Sequence, residues 1–204
     1  MGNRLHGMMR RALALVLPML VVAAWAAGNQ LHLTGTGSDS RGRVDLQIAL
    51  AEKGRCTKFV DAATGIVAVA DAVPGDQSTS TRVCLKASGR VGLHLGVGGL
   101  SDVERGCTGQ EPAVDPTCVP GGQGELSSSL VQLVSVEQRC FKDAPPSRVP
   151  FVSLVDAPLD LGTLDEQRVV CAVLAVRYEP ATADDAQAGQ TDRAQWRYVF
   201  SVSN

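Results

Sequence analysis

The sequence predicts an all-β protein, a two-sheet β-sandwich of jelly-roll or Ig-like type with one short helical segment and disulfides. Three observations carry this. Several separate runs alternate apolar and polar residues at period two. Turn formers are frequent, with Gly 21 and Pro 10 in 204 residues. Val, a β-branched residue that favours strands, and Ala are the two commonest apolar residues. The charged fraction is 20% and the net charge −2. That leaves no basic footprint for nucleic acid and no disordered charged tail.

The N-terminus reads as an export address. Arg4, Arg10 and Arg11 precede an unbroken apolar run from Ala12 to Ala27. The run is shorter than the ~20 residues a helix needs to cross a bilayer. Ala24-Trp25-Ala26 offers the small-x-small pattern of a cleavage site. Residues 1–26 are therefore expected to be a signal peptide and 27–204 a single secreted domain; the membrane is touched only if the signal stays uncleaved as an anchor. Cleavage removes three Arg and no acidic residue, taking the net charge from −2 to −5. Beyond the cut, Leu31, His32, Leu33 and Thr34 begin an alternating segment with both leucines on one side. It is either a strand that adds to the open sheet edge of a neighbour or an ordinary edge strand of its own domain.

The first well-specified strand has Val44, Leu46, Ile48 and Leu50 on one face. A shorter strand is expected within Ala62–Ala72, followed by the turn Val73-Pro74-Gly75-Asp76 and a strand at Thr81–Ala87. Val91, Leu93, Leu95 and Val97 alternate with Gly92, His94 and Gly96, which places His94 off the buried face. Gly96-Val97-Gly98-Gly99 lacks the Lys and the spacing of a phosphate cradle and reads as a flexible turn. It opens an irregular stretch from Gly98 to Gln123. A helical turn is expected at Gly124–Ser129, passing into a strand up to Cys140. After the Pro-rich Ala144–Pro150, Phe151–Leu164 has the composition of a short helix. Arg168–Tyr178 is nearly continuously apolar, as a strand buried on both faces would be. In the last strand Trp196, Tyr198, Phe200 and Val202 share a face.

All six cysteines, Cys56, Cys84, Cys107, Cys118, Cys140 and Cys171, follow the cleavage point, and an even number in an exported chain reads as three disulfides. Fifteen connectivities are possible. The expected pairs are Cys107 with Cys118 across a Gly/Pro/Thr loop, Cys84 with Cys171 between strand-like runs, and by remainder Cys56 with Cys140. Without a C-x-x-C, and with His6, His32 and His94 scattered, no zinc site is expected. The sequence lacks H-E-x-x-H, G-x-S-x-G, a Walker loop and a dinucleotide fingerprint. Asp184-Asp185 and Asp165-Glu166 read as solvated surface acids. No catalytic residue, metal or cofactor is expected.

The order of landmarks carries a resemblance. The export signal, the Val44-Asp45-Leu46 strand, Pro74-Gly75-Asp76 and Ala87-Ser88-Gly89 come first. Gly124-Glu125-Leu126 to Leu130, Tyr178, Gln190-Thr191-Asp192 and Trp196-Arg197-Tyr198-Val199-Phe200 follow. Together they resemble the TasA/camelysin family of secreted bacterial biofilm-matrix proteins, over most of the mature chain. The resemblance implies a jelly-roll-like sandwich at the cell surface or in the extracellular matrix. It also implies assembly with copies of itself or with another matrix or cell-surface protein, an N-terminal strand being lent to the next subunit. The camelysin-type members carry a metallo-endopeptidase label, which gives an enzymatic alternative; a monomeric extracellular binding module that uses the Gly98–Gln123 loop is another. The chain departs from the family pattern at Leu164-Asp165-Glu166-Gln167, near Ala183 and Asp184, and in having six cysteines, which bear on strand exchange more than on the fold.

Overall fold

The computed structural model describes residues 33–36, 45–63, 67–106, 113, 119–181, 188 and 190–203. The expected signal segment, Leu31, His32, Cys107, Cys118 and Asp184-Asp185 lie outside them. Twelve strands are described: β1 Leu33–Thr36, β2 Leu46–Glu52, β3 Arg55–Cys56, β4 Ala62–Ala63, β5 Val67–Ala70, β6 Thr81–Ala87, β7 Val91–Glu104, β8 Leu130–Glu137, β9 Ser147–Pro150, β10 Leu159–Leu164, β11 Val169–Tyr178 and β12 Asp192–Ser203. Leu126–Ser129 forms a 3₁₀ turn, and α1, Ser153–Asp156, is one helical turn.

The strands make two six-stranded sheets, as the alternation predicts. The first runs β10-β7-β12-β1-β4, with β5 also on β12; the second runs β3-β2-β6-β11-β8-β9. Every pair is antiparallel except β1 with β12. Strand alternation sends one set of side chains between the sheets. Leu46, Ile48, Val83, Leu85, Val170, Ala172 and Leu174 meet Leu93, Leu95, Trp196, Tyr198 and Phe200 in one apolar core. Phe151 packs on Trp196 with ring centroids 4.4 Å apart, and Tyr198 meets Trp196 edge-on at 6.1 Å. Burying side chains of this size contributes ~1.5–3 kcal/mol each.

Two segments depart from expectation. The glycine-rich run Gly96–Gly99 is not a turn: it lies inside β7, which continues to Glu104. The strand absorbs it through a bulge against β12, where the register shifts between Gln195 and Arg197 and Gly99 takes φ +61°. Of Phe151–Leu164, only Ser153–Asp156 is helical, and Leu159–Leu164 pairs along β7 instead. The Val73–Asp76 turn forms as expected, with Gly75 at φ +92° and Asp76 N–H donating to Val73 O at 2.9 Å. It is docked on the end of β11, since Gly75 N–H donates to Tyr178 O and Tyr178 N–H to Asp76 O, both at 2.9 Å.

Candidate functional site

Three features outside the main core carry chemistry. The first is the edge of β12 that β7 leaves uncovered. β7 covers one edge of β12 almost throughout. The other edge is shared by β5, opposite Arg193–Trp196, and by β1, opposite Tyr198–Ser201. The expected donor segment thus enters the structure through Leu33 and Thr34. Both belong to β1, in parallel register Leu33 with Tyr198 and Thr34 with Val199. Among the described residues, only the two-residue β4 pairs on the far side of β1. Four backbone positions of an N-terminal strand therefore fill a slot bounded by the C-terminal strand.

The second feature lies on the outer face of the second sheet. β6 points Val83, Leu85 and Ala87 inward, so Cys84 points outward, where it joins Cys171 and Ala49 in a small apolar cluster flanked by Phe59. Ala49, Cys84, Cys171 and Glu137 are successive cross-strand partners on β2, β6, β11 and β8. The β2–β3 hairpin folds Cys56 over this row, and the turn after β8 brings Cys140 to it. The bridges are Cys56–Cys84 and Cys140–Cys171, with Cα separations of 5.9 and 5.0 Å. This corrects the expected pairs Cys84–Cys171 and Cys56–Cys140. The four cysteines do converge, but each buried cysteine of β6 and β11 bonds to the half-buried one above it, on β3 or in the turn after β8, rather than to its neighbour across the sheet. Closing loops of 28 and 31 residues is worth about 3.5 kcal/mol each in chain-entropy terms.

Beside the cysteines, the Arg82 guanidinium grips the buried Glu137 carboxylate through Nε at 3.1 Å and Nη2 at 2.7 Å and lies over the Phe141 ring. Phe141 N–H also donates to Glu137 at 2.7 Å. A shallow groove of about 230 Å³ runs past this pair, lined by Ser80, Ser135, Asp143 and Val173 among others. Its ion pair is satisfied within the protein and acts as a clamp on the turn that bears Cys140.

The third feature was not visible in the sequence. Asp192 and Glu104, both buried, are direct cross-strand partners, and the half-buried Asp102 lies two residues along β7. Asp192 Oδ2 accepts from the N–H groups of Glu125 at 2.5 Å and Leu126 at 3.1 Å, and Asp102 Oδ2 accepts from Ser127 N–H at 2.5 Å. Asp102 and Asp192 each keep one buried oxygen without a partner. Among the described residues, no Lys or Arg forms an ion pair with any of the three. Burial, then the neighbouring Glu104, pushes the Asp192 carboxyl up to about 6. Burial likewise raises Asp102. Asp102 and Glu104 were hidden in the stretch read as irregular; their i, i+2 spacing opposite Asp192 was the available signal.

His94 sits on the outer side of β7, as expected, and hydrogen-bonds Ser203 Oγ at 2.8 Å. Among the described residues, the four cysteines are the one convergence of three or more potential metal-ligand atoms, and their sulfurs are paired. No described helix is long and apolar enough to cross a membrane. No family model, curated protein or solved structure matches the chain.

Proposed function

We propose that this is an exported structural or cell-surface interaction protein that assembles by lending its N-terminal strand to the next copy. The observation that supports this reading is the place of β1. It is a four-residue strand, the one parallel addition among the described residues, laid on the edge of β12 away from β7 at Tyr198–Ser201. Backbone pairing of this kind is indifferent to which copy supplies the strand, because the ladder is made of main-chain N–H and C=O groups. A copy whose slot is filled by its neighbour would repeat the relationship head to tail, a heterologous contact that grows into a filament when it does not close. The resemblance to secreted matrix proteins points the same way, and disulfides suit an oxidising exterior. The test compares a chain beginning at Ala27 with one that lacks Leu31–Gly37, both followed by negative-stain imaging over days. Filaments from the first and none from the second are expected; filaments that persist without the segment would overturn strand exchange.

A further inference from the structure

The two described disulfides are one sulfur cluster. Cys84 and Cys171 stand directly opposite each other on β6 and β11 and are fully buried. Their sulfurs are 3.5 Å apart, yet each is bonded outward, to the half-buried Cys56 and Cys140. Cys56 Sγ is 3.7 Å from Cys171 Sγ, and all four sulfurs lie within 4.8 Å of one another. Thiol–disulfide exchange needs a thiolate beside a disulfide sulfur, and here every sulfur already has one from the other bridge next to it.

We propose that these four cysteines are a thiol–disulfide exchange site for an external dithiol, in which reduction of either bridge is relayed to the inner pair. The relay leaves a Cys84–Cys171 disulfide and two surface thiols, Cys56 and Cys140. In the first step a thiolate of the dithiol attacks Cys56 Sγ. The Cys56–Cys84 bond breaks, and Cys84 leaves as the thiolate with the bonding pair. The second thiol of the reagent resolves the mixed disulfide, so that the reagent becomes a disulfide and Cys56 is released and protonated. The Cys84 thiolate then attacks Cys171 Sγ, forming Cys84–Cys171 and expelling Cys140, which takes a proton from solvent. One dithiol is oxidised and the protein loses one disulfide. An attack that begins at Cys140 runs the mirror path, with Cys171 displacing Cys56, and ends at the same product.

Two physical reasons favour that product. A thiolate on fully buried Cys84 or Cys171 lacks solvation, and the relay moves the charge to a half-buried sulfur where water reaches it. Directly opposed antiparallel residues have Cα atoms ~4.5–5.5 Å apart, inside the range a disulfide spans, so the inner bridge needs little backbone movement. Once formed it is shielded from further reagent by the groups packed over it, Phe59 among them. The alternative pairing, Cys84–Cys171 with Cys56–Cys140, is thus a second state of the same cluster.

The test uses the oxidised chain from Ala27, with dithiothreitol added stepwise up to three equivalents, acid quench, alkylation with N-ethylmaleimide and peptide mapping. Trypsin places the four cysteines on separate peptides, 56–58, 83–86, 140–142 and 169–177. Cys107 and Cys118 are read on their own fragment. The half-reduced protein should carry label on Cys56 and Cys140 in equal amount, with peptides 83–86 and 169–177 joined. Label on Cys56 with Cys84, or on Cys140 with Cys171, while the other bridge stays intact, would overturn the relay, as would loss of both bridges together. The double variant Cys56→Ser/Cys140→Ser provides an independent check: it should fold with a Cys84–Cys171 bridge, and free thiols at 84 and 171 in the folded, air-oxidised variant would contradict the proposal.

Discussion

The Tyr198 hydroxyl on β12 donates to Gln132 Oε1 on β8, which ties one sheet to the other through the middle of the core. Gln132 is fully buried, and its Nε2 donates to Leu133 O at 3.1 Å and to Ala175 O at 2.9 Å. The amide therefore satisfies β11 and β12 at once. Burial of the phenol raises its pKa well above the usual tyrosine value, so it stays a donor at every physiological pH.

Tyr198→Phe should leave Gln132 Oε1 buried without its donor. A buried polar atom deprived of its partner costs about 1–3 kcal/mol, and a loss of that size in urea unfolding is expected. An unchanged midpoint would mean that water or a rotated amide replaces the bond.

The acid cluster sets a pH dependence whose sign follows from its raised pKa values. The folded chain holds the Asp192 proton up to about pH 6, whereas the unfolded chain releases it near 3.8. Between those values the folded state binds more protons, so stability falls as pH rises through that window and the full cost is felt above it. Asp102 acts in the same direction. Asp192→Asn removes the charge while keeping an acceptor for Glu125 and Leu126. It should stabilise the protein at pH 7.5 by roughly 2 kcal/mol, with the gain shrinking toward pH 4. Thermal unfolding of both proteins at the two pH values checks this; a variant less stable than the parent at both would contradict it.

Gly124 carries the same cluster from the other side. A Cβ there would fall 2.6 Å from Asp102 Oδ1 and 2.6 Å from Asp192 Oδ2. Gly124→Ala should force the 3₁₀ turn off both carboxylates and cost about 1–3 kcal/mol, the usual range for overpacking. Chemical denaturation reads the loss directly, and parental stability would show that the turn lifts freely.

A tryptic map of the oxidised protein without reductant should join peptide 56–58 to 83–86 and peptide 140–142 to 169–177. Recovery of 83–86 joined to 169–177 from protein never exposed to thiol would contradict the assigned bridges.

The sheets were legible where a strand has one wet face. Thr81–Ala87 matches β6 at both ends, and the Trp196, Tyr198 and Phe200 face of β12 is buried as its alternation implies. Other features depend on partners far along the chain. Glycines read as a turn because they favour one locally, yet pairing of Gly96 with Val199 and of Gly98 with Arg197 on β12 holds them in β7. Ser147–Pro150 hid in a Pro-rich run, and Pro is tolerated there because β9 is an edge strand. The cysteine convergence was implied by the two strands, but with four sulfurs within 4.8 Å neighbourhood alone could not choose the bonds. The acid cluster required the Asp192–Glu104 register, which no local pattern specifies.

The most direct measurement asks which copy supplies β1. Thr36 and Ser201 are register partners on β1 and β12. Thr36→Cys and Ser201→Cys are made in separate chains beginning at Ala27, mixed, left to assemble at neutral and mildly acidic pH, and oxidised. Strand lending predicts a covalent dimer that joins residue 36 of one chain to residue 201 of the other. A mixture that stays unlinked, while the double variant closes the bond within a single monomeric chain, would contradict it.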